Sequence, residues 1–465
     1  MGRLTGLTRR EALGAMAVAP LVAGAESARP NVVFIMADDL GYGDLSCYGR
    51  PDYKTPNIDR LAAQGMRFTQ AYANSAVCSA TRTALITGRY QYRLPVGLEE
   101  PLVPSARDIG LPGEHPTLPS LLRGAGYETT LVGKWHLGWL PKYGPLQSGY
   151  EHFWGFRAGA VDYFTHKAAA SNTDTEDLWD GDTKIHKEGY LTELLGDQAV
   201  ATIDAAGKQR KPFLLSLHFN APHWPWEAPG DEAEAARVHE LMSFDAGSMA
   251  TYGRMVERLD FQVGRVLAAL EKTGAAKNTI VVFTSDNGGE RFSNTWPFTG
   301  KKSELLEGGL RIPAIVRWPG RVARGATTQQ VAITMDWMPT LLAAAGVSGD
   351  AAHPADGMNL LPVLTGKAGV APRKLFWRYR SKAQKAVRDG DMKWLSIGGN
   401  EFLFDLAADP QERANLKDRR PEDYRRLAAE WAAWNATMLP EDPKAYTYDF
   451  PPEHLADHFA PGAKP

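Results

Sequence analysis

The sequence predicts an α/β protein with a large, mostly parallel sheet sandwiched by helices, and a smaller C-terminal subdomain made of an antiparallel sheet plus a helix. Two observations lead to this prediction. Continuous apolar runs of strand length alternate with segments of helical period through residues 30–370, as in parallel sheets that are buried on both faces. From about residue 371, short aromatic and β-branched runs separated by Asp-Gly and Gly-Gly turns replace that alternation.

Four apolar runs predict the central strands of the large sheet. Each run ends in polar residues, and the four are NVVFIMADDLGYGD, YETTLVGKWHLG, PFLLSLHFNAPHWP and TIVVFTSDNGGE. Segments of helical period that end at or near a glycine are TPNIDRLAAQG, TLPSLLRGAG and MVERLDFQVGRVLAALEKTG. Ligands of such sheets bind beyond the carboxyl ends of the strands, so the polar ends of these runs indicate a functional site.

The C-terminal region, residues 371–465, is predicted to form the smaller subdomain beside a catalytic domain at residues 30–370. Its runs KLFWRYR, KAVRDGDMKWLSI and EFLFDLA predict an antiparallel meander, and PEDYRRLAAEWAAWNATM predicts the helix. Aromatic residues in such a unit are typical of a core, so none of them is assigned to substrate binding.

The first residues, 1–25, have the pattern of an export signal of the twin-arginine type. Arg9 and Arg10 precede a short apolar segment that ends in a small-residue cleavage pattern at Ala25. The apolar part is shorter than the roughly 20 residues that span a bilayer and contains Pro20, so no permanent membrane anchor is expected. The pattern predicts a periplasmic or secreted protein that uses the export machinery.

Chain length and net charge limit the classes of protein to which this sequence can belong. With 465 residues, 44% of them apolar, the chain can bury a large core and exceeds one typical domain. The formal net charge is −2, so there is no basic field over the whole chain to attract a polyanion. No nucleic-acid partner is expected.

Two pairs of oxygen-bearing side chains follow two of the predicted strands. Asp38 and Asp39 come directly after the first strand, and Asp286 and Asn287 come after the last. Each residue alone also fits an ordinary turn before glycine. Together they offer three carboxylates and one amide, which favours a hard cation such as Ca²⁺ or Mg²⁺, whereas no Cys/His pair has the spacing of a zinc site.

Cys78 is one of two cysteines in the chain and precedes the helical pattern SATRTALITGR. Its thiol is therefore predicted at a helix N-terminus, where the helix dipole favours negative charge, with the cation of Arg82 one turn further along. In an exported protein, a disulfide between Cys47 and Cys78 is the alternative interpretation.

These motifs resemble those of the type I sulfatases, the arylsulfatase-like family of the alkaline phosphatase superfamily. CSATRTALITGR fits the family pattern C-x-(P or A)-x-R followed by x-x-L-x-T-G-R, and GKWHLG, NAPHWP, SDNGG and GKKSELLEGGLRIP occur in the family's positions. ADDLGYGDLSCYG and FLFDLAADPQERANL match its two ends, so the resemblance extends from residue 31 to about residue 416. Ala80 stands where many members have proline, a variant that the pattern tolerates. The resemblance implies an alkaline phosphatase-like fold.

The resemblance further implies that a formylglycine-generating enzyme, or an equivalent maturation enzyme, converts Cys78 to formylglycine. In this chemistry one hydroxyl of the hydrated aldehyde attacks the sulfur of a sulfate monoester. The other hydroxyl then loses its proton, and cleavage of the C–O bond expels sulfate and restores the aldehyde. The implied function is a sulfuric ester hydrolase that acts on aryl or carbohydrate sulfate monoesters.

Residue roles also follow from the resemblance. The implied catalytic residues are Cys78, Arg82, Lys134, His136, His223 and Lys302, and the implied ligands of one Ca²⁺ are Asp38, Asp39, Cys78, Asp286 and Asn287. Arg82 and Lys134 would orient the hydrated aldehyde, and His136 would be the base of the collapse step. His223 and Lys302 would bind the sulfate and supply a proton to the leaving oxygen.

Two further residues, Lys301 and Cys47, are not assigned to the implied site. Lys302 is assigned rather than Lys301 because it lies five residues before Glu307, at the spacing of the family lysine. Lys301 is interpreted as a solvated neighbour. By resemblance Cys47 is not catalytic, and it is interpreted as a small buried residue.

The substrate is not identified by the sequence beyond a small-molecule or saccharide sulfate ester. Two long loops without a family pattern, residues 89–110 and 157–182, are long enough to form the wall of a cleft. Two alternatives stay open. One is a phosphate or phosphonate ester hydrolase on the same scaffold, and the other is a non-catalytic, metal-dependent binder of sulfated glycans in which Cys78 is unmodified.

Overall fold

The computed structural model describes residues 1–2, 29–104, 108–168, 175–209, 211–237 and 246–449. The pattern predicted to be an export signal, with Arg9, Arg10 and Ala25, lies outside the described residues. Within the described ranges, no helix combines the length and the apolar stretch that crossing a bilayer requires.

The described residues form ten α-helices and sixteen β-strands. The helices are α1 (Pro56–Gln64), α2 (Cys78–Thr87), α3 (Leu118–Gly124), α4 (Leu191–Ala206), α5 (Glu232–Arg237), α6 (Met249–Lys272), α7 (Glu307–Leu310), α8 (Trp337–Ala345), α9 (Leu361–Leu364) and α10 (Pro421–Asn435). The strands are β1 (Asn31–Ala37), β2 (Met66–Phe68), β3 (Ala71–Tyr72), β4 (Glu128–Lys134), β5 (His152–Phe156), β6 (Trp179–Asp180), β7 (Thr183–Lys184), β8 (Phe213–His218), β9 (Thr279–Ser285), β10 (Ala314–Arg317), β11 (Ala326–Thr328), β12 (Ala332–Ile333), β13 (Lys374–Tyr379), β14 (Gln384–Asp389), β15 (Met392–Ile397) and β16 (Asn400–Asp405).

Ten strands form one large sheet in the order β11-β2-β10-β9-β1-β8-β4-β5-β6-β7. Its centre, β9-β1-β8-β4-β5, is parallel throughout, while β10 runs antiparallel to both β9 and β2. The four runs predicted as central strands are β1, β4, β8 and β9, and they lie side by side. The predicted large, mostly parallel sheet is therefore confirmed.

Both faces of the central strand β1 are buried, which explains why its sequence is apolar without alternation. Val33 and Ile35 lie in a core that also contains side chains of α1, α4 and α6. Val32 and Phe34 lie in a second core, on the opposite face, with side chains of α2, α3 and α8. Helices thus cover the sheet on both sides, as predicted.

A four-stranded antiparallel meander, β13-β14-β15-β16, forms the C-terminal sheet. Leu427 and Trp431 of α10 pack on one of its faces. On the other face, Trp377 joins a core shared with α2, and its indole nitrogen donates to the carbonyl of Ala73 at 2.9 Å. The predicted C-terminal sheet and helix are confirmed, and the limits at residues 30–370 and 371–465 stay a prediction.

A buried ionic network joins this sheet to the segment that follows Lys302. Lys393 on β15 lies 2.9 Å from a carboxylate oxygen of Glu307 and 2.8 Å from one of Glu412, and all three side chains are buried. Glu307 also accepts a hydrogen bond from the hydroxyl of Tyr72 at 2.7 Å. Because Glu307 starts α7, the network holds the backbone just beyond Lys302 against the C-terminal sheet.

Candidate active site

The carboxyl ends of four parallel strands meet at one edge of the large sheet and place buried polar side chains there. Asp38 and Asp39 follow β1, and Lys134 is the last residue of β4. His223 lies in the loop after β8, and Asp286 directly follows β9. The parallel pairing of these strands brings residues together that are up to 248 positions apart in the chain.

Helix α2 brings two more residues to this edge. Cys78 is the first residue of α2, and Arg82 lies one turn further along. Arg82 donates to Asp286 through Nε at 3.1 Å and Nη2 at 2.8 Å, and through Nη1 to the carbonyl of Lys134 at 3.2 Å. The guanidinium therefore ties α2 to the ends of β9 and β4.

The thiol of Cys78 is buried and free, and so is not part of a disulfide. Burial raises its pKa, although Lys134 and Lys302 act in the opposite direction. Desolvation therefore outweighs the charges of these two lysines. Cys47 is also a free thiol, and it is half-buried rather than buried. The alternative of a disulfide between the two cysteines is wrong.

An oxygen-rich cluster lies beside Cys78. One ligand atom each from Asp38, Cys78 and Asp286 lie within 4.8 Å of one another. Asn287 donates through Nδ2 to Oδ1 of Asp39 at 2.7 Å, and the amide of Asp39 donates to Oδ1 of Asp286 at 3.2 Å. Burial, and then the charge of Asp286, raise the pKa of Asp38 well above its ordinary range. Lys134 and Arg82 act in the opposite direction without cancelling this increase, so the repulsion between the carboxylates is only partly compensated.

Two oxygens of this cluster can accept hydrogen bonds or bind a cation but have no such partner among the described residues. Oδ1 of Asp38 and Oδ1 of Asn287 are buried and have no hydrogen-bond partner among the described residues. A buried polar atom without a partner costs about 1–3 kcal/mol, so such a pair is unfavourable in the protein alone. Carboxylate and amide oxygens are the donors that Ca²⁺ takes in proteins. The residues present therefore fit a bound calcium ion.

Two buried lysines contact the cluster. Nζ of Lys134 lies 2.6 Å from Oδ2 of Asp38, and Nζ of Lys302 lies 2.6 Å from Oδ2 of Asp39. Burial alone would lower the pKa of Lys302, but Asp39 and further neighbours raise it well above its ordinary value. Lys302 is therefore a cation at neutral pH. Lys301 is only half-buried.

Two buried histidines complete the site. Nδ1 of His223 contacts the carbonyl of Trp224 at 2.6 Å and must donate to it, so Nε2 carries the lone pair and accepts from Lys302 at 3.2 Å. By the same argument Nε2 of His136 donates to the carbonyl of Leu102 at 2.7 Å, and its Nδ1 has no partner in the described part of the chain. Burial, reinforced by the lysines, lowers the pKa of both imidazoles well below the ordinary value. Both rings are therefore neutral.

Three residues of this region have a left-handed backbone although none is glycine. Asp39, His136 and Ser303 have φ values of 62°, 57° and 71°. Such conformations cost of order 1–3 kcal/mol each and persist where the surrounding structure demands them, above all at functional sites. Two of the three, Asp39 and His136, are buried polar residues of this site, so the backbone strain coincides with the site.

A cavity of about 120 Å³ opens onto Cys78. His136, His223 and Lys302 line it together with Cys78, and its walls come from residues 101–104, Gly159, Ala160, Trp224, Tyr446 and Tyr448. Both loops that were predicted to form a cleft wall, residues 89–110 and 157–182, contribute to it. Two C-terminal aromatic residues, Tyr446 and Tyr448, line the cavity, although no aromatic residue of the C-terminal region is assigned to substrate binding from the sequence.

Glu290 was not among the residues predicted from the sequence. It is buried, with Oε2 at 3.9 Å from Nζ of Lys302, and burial raises its pKa to about 7. A signal was present, because Glu290 directly follows SDNGG. Since a glutamate after two glycines is common on surfaces, only the folded chain places it against Lys302.

Fold and site together define a hydrolase of the alkaline phosphatase superfamily. The family model Sulfatase matches residues 30–347, and the model N-sulphoglucosamine sulphohydrolase, C-terminal, matches residues 298–432. The chain belongs to the sulfatase family, and it is a sulfate ester hydrolase.

Relatives and solved structures agree with this assignment. The chain is 34% identical over 394 residues to N-acetylgalactosamine-6-sulfatase of Mus musculus, covering 80% of this chain and 73% of that protein. It is 33% identical over 426 residues to arylsulfatase A of Homo sapiens, covering 84% and 79%. The crystal structure of Ps i-CgsB in complex with k-i-k-neocarrahexaose matches with a TM-score of 0.81 at 29% identity, covering 90% of this chain and 95% of that one.

Proposed function

We propose that this sulfatase hydrolyses aryl or carbohydrate sulfate monoesters by means of formylglycine made from Cys78 and one bound Ca²⁺. The position of Cys78 carries the proposal, because its sulfur lies within 4.8 Å of carboxylate oxygens of Asp38 and Asp286 at the start of a helix. A buried thiol with a raised pKa is a poor nucleophile, so Cys78 is better explained as the precursor of a modified side chain. Formylglycine supplies a hydroxyl nucleophile, and Ca²⁺ neutralises negative charge on the sulfate.

The proposed calcium ligands are the oxygen-bearing side chains at the ends of β1 and β9, with residue 78. They are Asp38, Asp39, Asp286, Asn287 and Cys78 in its modified form. The two buried oxygens without partners, on Asp38 and Asn287, support this ligand set because a cation would satisfy both. Mg²⁺ is the less suitable ion, since it demands near-ideal octahedral geometry and usually keeps several waters.

Arg82 and Lys134 hold the side chain of residue 78 in its reactive orientation. Both cations are themselves fixed, Arg82 by two contacts to Asp286 and Lys134 by its contact to Asp38. Fixed groups do not have to be reordered in the transition state, so they stabilise its charge effectively. This arrangement supports an orienting role for the pair.

Proton transfer is assigned to the remaining three residues. Nδ1 of His136 accepts the proton in the collapse step, because its lone pair is free while Nε2 is committed to Leu102. Lys302 and His223 bind the sulfate, and Lys302 supplies a proton to the leaving oxygen. Lys302 donates to Nε2 of His223 across 3.2 Å, so the transferable proton of the pair lies on the lysine.

The names of the relatives support both substrate classes. One relative is an N-acetylgalactosamine-6-sulfatase, another is an arylsulfatase, and a neighbouring structure holds a neocarrahexaose. The leader pattern of residues 1–25 supports export, so we place the mature protein in the periplasm or outside the cell. Maturation then requires an enzyme that converts Cys78.

Peptide mass spectrometry of residue 78, combined with turnover of 4-nitrophenyl sulfate, tests this function. We expect an aldehyde at residue 78 in active protein, loss of turnover in Cys78→Ala, and near-normal turnover in the matched control Cys47→Ala. An unmodified Cys78 in fully active protein would overturn the proposal. Faster turnover of a matched aryl phosphodiester than of the aryl sulfate would instead favour the phosphoester alternative.

A further inference from the structure

A short C-terminal segment, residues 442–449, lies beyond α10 and beyond residue 432, where the matched family models end. It returns to the edge of the large sheet and pairs with the loop that precedes the cavity wall. The amide of Glu100 donates to the carbonyl of Tyr446 at 3.0 Å, and the amide of Tyr448 donates to the carbonyl of Glu100 at 2.6 Å. Thr447 thus lies in a parallel bridge with Glu100.

Two side chains near the end of β13 hold this segment in place. Arg380 donates to the hydroxyl oxygen of Thr447 and to the carbonyl of Asp442, both at 2.7 Å. The hydroxyl of Tyr379 donates to the carbonyl of Tyr448 at 2.6 Å. None of these bonds uses the rings of Tyr446 or Tyr448.

The two rings of the segment face the cavity over Cys78. Tyr446 and Tyr448 are both on its wall, and 40% of the surface of Tyr446 stays exposed. Tyr448 lies close enough to the charged end of the site that, after burial, Glu290 raises and Lys302 lowers its pKa. The segment therefore lines the same cavity as Lys302, the residue proposed to bind the sulfate.

Two kinds of residue line the cavity. Cys78, His136, His223 and Lys302 are titratable, and the other described lining residues are aliphatic, glycine or aromatic, with Trp224 and residues 101–104 joining the two tyrosines. The titratable residues suit a sulfate group, and the apolar and aromatic residues suit a ring with an apolar face, because aromatic side chains bury large areas against flat rings.

We propose that Tyr446 and Tyr448 form the leaving-group subsite of this sulfatase and bind the ring of the sulfate ester. The leaving group is either an aryl group or a pyranose, and both are rings with an apolar face. This inference rests on the proposed function, because the cavity is a substrate site only if residue 78 reacts with sulfate esters. The C-terminal segment then determines specificity although it lies outside the matched family models.

Point substitutions test this subsite better than truncation. Glu100, the partner of the segment, lies two residues before Leu102, whose carbonyl accepts the hydrogen bond of His136. Removing residues 442–449 would therefore disturb His136 as well as the rings. Tyr446→Leu and Tyr448→Leu keep the backbone pairing, and Tyr424→Leu on α10, away from the cavity, is the matched control.

Calorimetric binding of three sulfonates to the mature protein provides the measurement. Benzenesulfonate and 6-deoxy-6-sulfoglucose carry a ring, methanesulfonate carries none, and none of the three has a C–O–S bond to hydrolyse. We expect each cavity variant to raise the Kd of at least one ring sulfonate about tenfold, equal to about 1.4 kcal/mol, and to change the Kd of methanesulfonate less than about twofold. Tyr424→Leu should change none of them.

The outcomes separate the subsite from the proposed function. A larger loss for benzenesulfonate identifies an aryl leaving group, and a larger loss for the sulfonated sugar identifies a pyranose. Equal losses for all three sulfonates, or ring sulfonates that bind the wild-type protein no better than methanesulfonate, would overturn the subsite. Because the probes are not hydrolysed, these results hold whether or not residue 78 is converted, which mass spectrometry and turnover decide separately.

Discussion

Lys302 donates a hydrogen bond to Nε2 of His223 across 3.2 Å, and the direction of this bond distinguishes the two residues. Nδ1 of His223 donates to the carbonyl of Trp224, so Nε2 has no proton of its own. Burial, followed by the charge of Lys302, lowers the pKa of His223 well below the ordinary value. Of the two residues that the sequence places together at the leaving oxygen, Lys302 is the one that carries the proton.

Lys302→Ala should slow sulfate esters according to the basicity of their leaving groups. A sugar or alkyl alkoxide needs a proton in the transition state, so its kcat/KM should fall by about 10²- to 10⁴-fold, typical of lost general acid catalysis. An activated phenolate needs little protonation and should be slowed visibly less. The measurement is kcat/KM for a series of esters spanning leaving-group pKa, in the wild type, Lys302→Ala and His223→Ala.

The slope of log kcat/KM against leaving-group pKa shows which residue donates the proton. Lost sulfate binding lowers kcat/KM of every ester alike and leaves this slope unchanged. A steeper slope in Lys302→Ala, with a line for His223→Ala parallel to the wild type, is the expected result. A parallel line for Lys302→Ala would mean that this residue does not donate the proton, and its assigned role would have to be withdrawn.

Removal of the metal should lower the thermal stability of the protein as well as its activity. Binding to the native state alone contributes about 2.7 kcal/mol when free Ca²⁺ is 100 times the Kd. Lys134 and Arg82 compensate the repulsion between Asp38 and Asp286 only in part, because the pKa of Asp38 stays raised. Chelation after partial unfolding should lower Tm, and Ca²⁺ should restore both Tm and turnover better than Mg²⁺ or Zn²⁺.

Asp38→Asn provides the matched test for the metal, because it keeps the shape of the side chain and removes a ligand charge. The shift in Tm caused by Ca²⁺ should shrink in this variant and persist in Asp52→Asn, which changes an exposed carboxylate. Recovery by Zn²⁺ alone, or an equal shift in both variants, would contradict an all-oxygen calcium site.

Lys393→Met should destabilise the protein more than any surface lysine change. The substitution leaves Glu307 and Glu412 buried and close to each other without their shared cation, and breaking a buried pair in this way costs about 3–5 kcal/mol. The control Lys374→Met removes partly exposed contacts on β13 and should cost no more than about 1 kcal/mol. Urea denaturation measures both.

A second substitution checks the cause of that loss. If uncompensated charge destabilises Lys393→Met, adding Glu412→Gln should recover part of the free energy of unfolding, since one buried carboxylate is then neutral. A further loss in the double variant would show that packing of the lysine stem, not charge, is what Lys393 contributes.

Glu227 should make the free energy of unfolding depend on pH. Burial, and then the nearby Asp162, raise its pKa to about 8 from an ordinary 4.5, with Asp231 and Glu234 acting in the same direction. Between these values the folded state binds more protons than the unfolded state, so stability falls as pH rises, by up to about 1.4 kcal/mol per pH unit.

Glu227→Gln removes this titration and keeps the volume of the side chain. The free energy of unfolding of Glu227→Gln minus that of the wild type should therefore grow from pH 5 to pH 8 and level off above pH 8. Urea denaturation at pH 5, 6, 7, 8 and 9 gives this difference directly and cancels the other titrating groups. A difference that is the same at every pH would refute the buried, protonated carboxyl.

The sequence by itself predicts the central strands, because the apolar runs now seen as β1, β4, β8 and β9 are buried on both faces and need no partner to be recognised. The same strands carry Asp38 and Asp286 at their ends, and parallel pairing alone brings these ends to one edge. The helix that starts at Cys78 is likewise encoded locally, in the run that follows it.

The tertiary structure decided what depends on neighbours that are far apart in the chain. The raised pKa of the Cys78 thiol comes from desolvation, which no local motif measures. The contact of Glu290 with Lys302 depends on how two loops fold against each other. Aromatic residues of the C-terminal region are typical of a core, yet Tyr446 and Tyr448 line the cavity, in a segment that hydrogen bonds of Arg380 and Glu100 hold there. Strand patterns are local properties, whereas burial, proton position and cavity walls are set by long-range packing.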